Sequence, residues 1–128
     1  MRKPILLMLL LVSGLLILSA CNNAPAGPDA GQAVQQYFQA KVAGDLPKLK
    51  TLICKEKEGD AELEAMSFAG LNAKLTDATC KKNDNADTVT CTGNIEAEYN
   101  NGPTTFPLST YRVVLEDGAW KWCGEAAP

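Results

Sequence analysis

"TVTCTGNIEAEY", residues 88 to 99, decides the fold class. Val89, Cys91, Ile95, Ala97 and Tyr99 alternate with Thr88, Thr90, Thr92, Asn94, Glu96 and Glu98. A period of two with one polar side marks a strand buried on one face only. Gly93 interrupts the row and predicts a bulge.

Strand signals continue on both sides. Upstream, Cys80 and Cys91 flank "KKNDNADTVT", whose Asn83-Asp84-Asn85 centre is rich in turn formers. Strands on either side of that turn place the two cysteines nearly opposite each other, within the roughly 4.4–6.8 Å between Cα atoms that a disulfide requires. Downstream, "NNGP" at Asn100 to Pro103 turns the chain. Phe106 and Leu108 then share one phase, and Tyr111, Val113 and Leu115 the other, so a bulge or bend is expected at Pro107. Asp117-Gly118 is a two-residue hairpin signal. It pairs Leu115 with Trp120 and Val113 with Trp122 on one face and puts Cys123 on the opposite one.

Before residue 73 the period is that of a helix. Val34, Tyr37, Phe38 and Val42 form an apolar stripe in which Lys41 is the one polar member. Asp29 is placed to cap this helix and Gly44 to end it. Asp45 caps a second, shorter helix bearing Leu46, Leu49, Leu52 and Ile53, with Pro47 in its first turn. A third helical stretch, from Ala61 to Leu71, carries Leu63, Met66 and Phe68. The expected architecture is α+β: two or three N-terminal helices packed on a curved four-stranded antiparallel sheet.

The N-terminus reads as an export signal. Arg2 and Lys3 precede fourteen residues, Ile5 to Leu18, that are apolar apart from Ser13 and Gly14. That is short of the roughly 20 residues a membrane-spanning helix requires. The exit Leu18-Ser19-Ala20-Cys21 resembles the lipobox of bacterial lipoproteins. The resemblance implies a signal peptide over residues 1–20, cleavage before Cys21 and lipidation of its thiol. It also implies a lipidated tether over 21–28, a single domain over 29–128, and an extracytoplasmic protein held to the cell membrane or outer membrane of a bacterium. Two or more acyl chains anchor stably where one is marginal.

Cysteine parity agrees. Setting Cys21 aside leaves Cys54, Cys80, Cys91 and Cys123, an even set outside the cytoplasm. With Cys80 paired to Cys91, Cys54 falls to Cys123, and the strand must then end or twist at Gly124. There is no histidine and no CxxC pair, so no metal site and no cofactor are expected. Without Arg2 and Lys3, the 12 basic residues fall to 10 against 15 acidic ones. That balance argues against nucleic acid as a partner. Lys48, Lys50, Lys55 and Lys57 read as a solvated face, or one turned toward phosphate headgroups.

"AVQQYFQAKVAGDLPKLKTLIC" and the ending "LEDGAWKWC" resemble the opening helices and closing hairpin of small nuclear-transport-factor-2-like domains, in the cystatin-like class. The resemblance implies a conical pocket between sheet and helices, with homodimers frequent, and names no reaction. Tyr37, Asp77, Tyr99, Tyr111, Trp120 and Trp122 are the candidate pocket residues. The leading expectation is a non-catalytic domain binding a small ligand or an envelope protein. An isomerase of the ketosteroid type would use Asp77 as base, facing inward with Leu75, and a tyrosine to polarise a carbonyl. A structural envelope protein is the third class, although the polar Thr and Glu face of the central strand weighs against tight sheet-to-sheet association. "NDNADT" lacks the glycine and the bidentate Glu of a calcium loop and reads as a hairpin turn.

Overall fold

A computed structural model describes residues 27–127. The signal segment, Cys21 and the tether up to Ala26 lie outside the described residues. The element order is α1 (Ala30–Ala43), α2 (Leu46–Leu52), a 3-10 helix (Lys55–Asp60), α3 (Ala61–Met66), then β1 (Lys74–Lys82), β2 (Thr88–Tyr99), β3 (Gly102–Pro107), β4 (Thr110–Glu116) and β5 (Ala119–Glu125). The helices pack on a five-stranded antiparallel sheet ordered β1-β2-β4-β5, with β3 also on β2.

The first two helices start where their caps dictate. The Asp29 carboxylate accepts from the Gln32 backbone N–H at 2.8 Å, and the Gln32 side chain accepts from the Asp29 N–H at 3.2 Å, a reciprocal capping box. Gly44 ends α1 in the left-handed region at φ 66°. The Asp45 carboxylate then accepts from the Lys48 N–H at 3.0 Å, with Pro47 in the first turn of α2. The buried stripe of α1 includes Ala30, Ala33, Val34, Tyr37, Phe38 and Ala40. The helix lies directly on β1 near its start: a Cβ on Gly31 would stand 2.4 Å from the Cys80 carbonyl oxygen.

The sheet has five strands rather than the four expected. The stretch from Phe106 to Leu115 is divided into β3 and β4, both lying along the same side of β2. Asn94 pairs with Pro107 and Thr90 with Thr110. Three residues of β2 therefore face two, Leu108 and Ser109. The phase change at Pro107 is real, and the mismatch of three residues against two ends a strand there. On the other side of β2, Asp77 and Ala78 together oppose Gly93, between the pairs Thr76–Asn94 and Thr79–Thr92. Gly93, at φ 98°, thus sits between two bulges.

The hairpin register is as read: Leu115 faces Trp120 and Val113 faces Trp122. Leu115 is nevertheless 50% exposed. β5 bulges at Cys123 and Gly124, which together face Arg112. Ile53 bridges Trp122, and the Cys54 N–H donates to the Trp122 carbonyl at 2.9 Å, so the chain leaving α2 runs along the outer margin of β5. Cys54 and Cys123 are bonded there, with Cα atoms 5.3 Å apart. Cys80 and Cys91 form the second disulfide, at 4.1 Å. The Cys91 N–H donates to Ser109 on the β4 side. Toward β1 it is therefore a non-hydrogen-bonded position, where facing residues come closest. Two disulfides in one small domain point to an oxidising, extracytoplasmic environment.

The margins differ in kind. β1 is broken by its bulge and carries exposed Lys74 and Lys81, and β3 carries Pro103 and Pro107. β5 is covered by Ile53 and Cys54. The core joins Val34, Tyr37 and Phe38 to Leu49, Leu52 and Ile53, and to Val89, Ile95, Tyr111, Val113 and Trp122 of the sheet. In α3 the small residues Ala61 and Ala65 face the core, while Leu63 and Met66 are each 70% exposed.

Candidate functional site

Between the second half of α1, α3, the 3-10 helix and the sheet lies an open cleft of about 480 Å³. Phe38, Ile95, Tyr111 and Trp122 form its floor, and Phe68, Phe106, Pro107 and Leu108 one wall. Charged groups Lys41, Lys57, Asp60, Glu64 and Glu125 stand around the remainder. The Lys57 side chain crosses Gly124 so closely that a Cβ there would come within 3.3 Å of its Cε.

The aromatic floor is ordered by stacking. Tyr37 lies parallel to Trp122, with centroids 4.1 Å apart, and edge-on to Phe38 at 5.1 Å. Phe38 in turn meets Tyr111 at 4.8 Å. Such pairs add about 0.5–1.5 kcal/mol each beyond area burial. The Trp122 indole nitrogen is buried without a hydrogen-bond partner among the described residues.

At the rim, one carboxylate gathers two donors. The Tyr37 hydroxyl donates to Glu64 Oε2 at 2.7 Å, and the Lys41 ammonium lies 2.5 Å from the same oxygen. Lys41 also stands 5.9 Å from the centre of the Phe68 ring. Burial first, and then the hydrogen bond and charge of Glu64, push the Tyr37 hydroxyl far above the ordinary tyrosine range. Burial likewise raises Tyr111, against the N–H that Ser109 donates to its hydroxyl at 3.0 Å, with the Glu125 charge adding to the rise.

The structure brings only part of the expected pocket together. Tyr111 and Trp122 line the cleft, and Tyr37 lies behind Trp122, reaching the rim through Glu64. Tyr99 is exposed at the end of β2. Trp120 lies outside the cleft, beneath the Lys82 ammonium, which is 5.6 Å from its ring centre. Asp77 is a correction. It was expected to face inward with Leu75, but it occupies the β1 bulge at φ 52° and is exposed. The extra residue of the bulge breaks the alternation on which that expectation rested. No tyrosine hydroxyl bonds to it among the described residues.

The sequence reading missed Glu64. Its one signal was Lys41, a charge inside an apolar helical stripe, which implies a partner at depth. Among the described residues, no group of three or more His, Cys, Asp or Glu side chains is placed to hold a metal ion. No helix among them is long and apolar enough to cross a membrane. Searches against protein-family models and curated proteins returned no match to this chain.

Proposed function

We propose that this chain is an exported lipoprotein, anchored through Cys21, whose domain binds a small ligand without transforming it. The lipobox-like exit and the two disulfides support the compartment. The cystatin-like, nuclear-transport-factor-2-like fold is part of the same reading, supported by the helix-Gly-Asp-helix opening and the closing hairpin. The observation that carries the binding role is the cleft itself, within the usual size range of small-molecule sites and floored by stacked rings. Flat aromatic walls and a charged rim suit a molecule with a planar or aliphatic body and one polar end.

A proton-transfer enzyme is the second reading, favoured by the Tyr37–Glu64 pair. Against it, the Glu64 oxygen that meets Tyr37 is also held by Lys41, so that oxygen is already committed to two donors of the protein itself.

Native mass spectrometry of residues 22–128, exported through a cleavable signal and purified without reductant, tests this. A bound mass that leaves on activation, and that Phe68→Ala with Phe106→Ala abolishes, is the expected result. A chain that is empty from the producing cell and takes up no member of an amphiphile panel overturns the ligand role. Turnover of a bound carbonyl compound that Glu64→Gln removes favours the enzyme.

A further inference from the structure

We propose that the ligand of the cleft is an organic cation, an ammonium group on an apolar body whose charge is met by the Asp60 and Glu125 carboxylates; this rests on the binding role given to the cleft.

The charges around the cleft do not balance. Lys41, Lys57, Asp60, Glu64 and Glu125 line it. Lys41 and Glu64 are bonded to each other and cancel. What is left is one ammonium, Lys57, against two carboxylates. None of these three side chains takes part in an ion pair among the described residues. Asp60 stands ahead of α3 but its side chain caps none of the helix backbone. Glu125 is exposed at the end of β5. The described fold therefore makes no use of either carboxylate.

Their charge nevertheless reaches the floor. Asp60 adds to the rise of the buried Tyr37 hydroxyl, and Glu125 to that of Tyr111. Beside an apolar floor, partly screened from bulk water, a surplus charge acts more strongly than at an open surface.

The protein already seats one ammonium in this way. Lys41 stands 5.9 Å from the centre of the Phe68 ring and is bonded to Glu64, so an aromatic face and a carboxylate hold it together. On the same wall Phe106 meets Phe68 at 5.6 Å and is 37% exposed, which leaves ring surface open to a guest. Phe38, Tyr111 and Trp122 supply further rings below. A cation is drawn to the negative face of such rings, most of all when desolvated.

An anion meets the reverse. Ring faces and both carboxylates repel it, and its one partner among the lining groups is Lys57. The stem of that lysine lies across Gly124, next to Glu125, where its charge is offset.

Three probes with one tail decide between these: decyltrimethylammonium, decyl glucoside and decyl sulfate, each kept below its micelle concentration. They are titrated by calorimetry into the disulfide-bonded chain of residues 22–128, which holds every described residue. The expected result is one-to-one binding of the ammonium, about tenfold tighter than the neutral glucoside, with the sulfate weakest. Asp60→Asn with Glu125→Gln should weaken ammonium binding about tenfold and leave the glucoside unchanged. Lys57→Met should tighten the ammonium and weaken the sulfate further. Sulfate binding as tight as that of the ammonium, or an ammonium affinity that the double carboxylate variant leaves unchanged, overturns the cation while the ligand site stands. Failure of all three probes to bind removes the ligand role of the cleft itself, and the cation with it.

Discussion

Gly93 and Asp77 touch backbone to backbone: a Cβ on Gly93 would stand 2.5 Å from the Asp77 carbonyl oxygen and 2.7 Å from its carbonyl carbon. Both residues have positive φ, so the two bulges that flank β2 meet at one point. Gly93→Ala combines a left-handed backbone with a clash against main chain that cannot rotate away. We predict a loss of about 2–4 kcal/mol, the range of strained or overpacked sites, read as a lowered urea midpoint. Asp77→Asn, which tolerates the same φ, should shift the midpoint by no more than about 0.5 kcal/mol.

The two disulfides should contribute unequally. They close segments of 69 and 11 residues. On chain entropy alone these are worth about 4 and about 3 kcal/mol. Cys54→Ser with Cys123→Ser should therefore lower stability more than Cys80→Ser with Cys91→Ser, as measured by denaturant titration of each double variant. The reverse order would mean that the bridge at the β5 margin constrains little beyond what Ile53 already does.

Glu64 and Lys41 should not be equivalent. Glu64→Ala strands both the Tyr37 hydroxyl and the Lys41 ammonium, at a cost of about 2–4 kcal/mol. Lys41→Met leaves Tyr37 bonded to Glu64 and keeps an apolar stem over Phe68, so the loss should stay below about 1.5 kcal/mol. Urea unfolding of the two variants decides it, and equal losses would sink the assignment of Glu64 as the shared acceptor.

Alkali should unfold the domain through its buried tyrosines. Tyr37 and Tyr111 hold their protons more tightly when folded. Above pH of about 10 the unfolded chain ionises first. Their contribution is thus complete below that pH and is lost as pH rises through it, by up to about 1.4 kcal/mol per unit for each group. Denaturant midpoints between pH 8 and 11.5 should fall, and Tyr37→Phe should flatten the fall while lowering stability at pH 8. An unchanged slope in that variant would count against Tyr37.

What could be read from the chain followed its periodicities. The α1 stripe, the Cys80–Cys91 crossing and the Leu115–Trp120 register all rest on contacts within one helix or one hairpin, where sequence spacing is spatial spacing. The Cys54–Cys123 bond was legible by elimination, but its route was not, because the Ile53–Trp122 bridge joins segments 69 residues apart. Asp77 was misplaced because a bulge inverts every later parity count, and nothing near Asp77 announces one; the signal was across the ladder, in Gly93. Leu63 and Met66 are large apolar residues of the third helical stretch, yet α3 packs through Ala61 and Ala65, since small residues let a short helix approach α1 closely. Glu64 followed from that same packing, which no local pattern records.

Lastly, under the proposed anchor at Cys21, the three margins of the sheet would bear on life at high surface density. A protein tied to a membrane meets its own copies far more often than one free in bulk, and an open strand edge would then act as a template for chain-on-chain polymerisation. Here a bulge with lysines, a pair of prolines and a disulfide-clamped cover each deny the next strand a continuous row of partners. Crowding such molecules on one surface should raise collisions without seeding fibres.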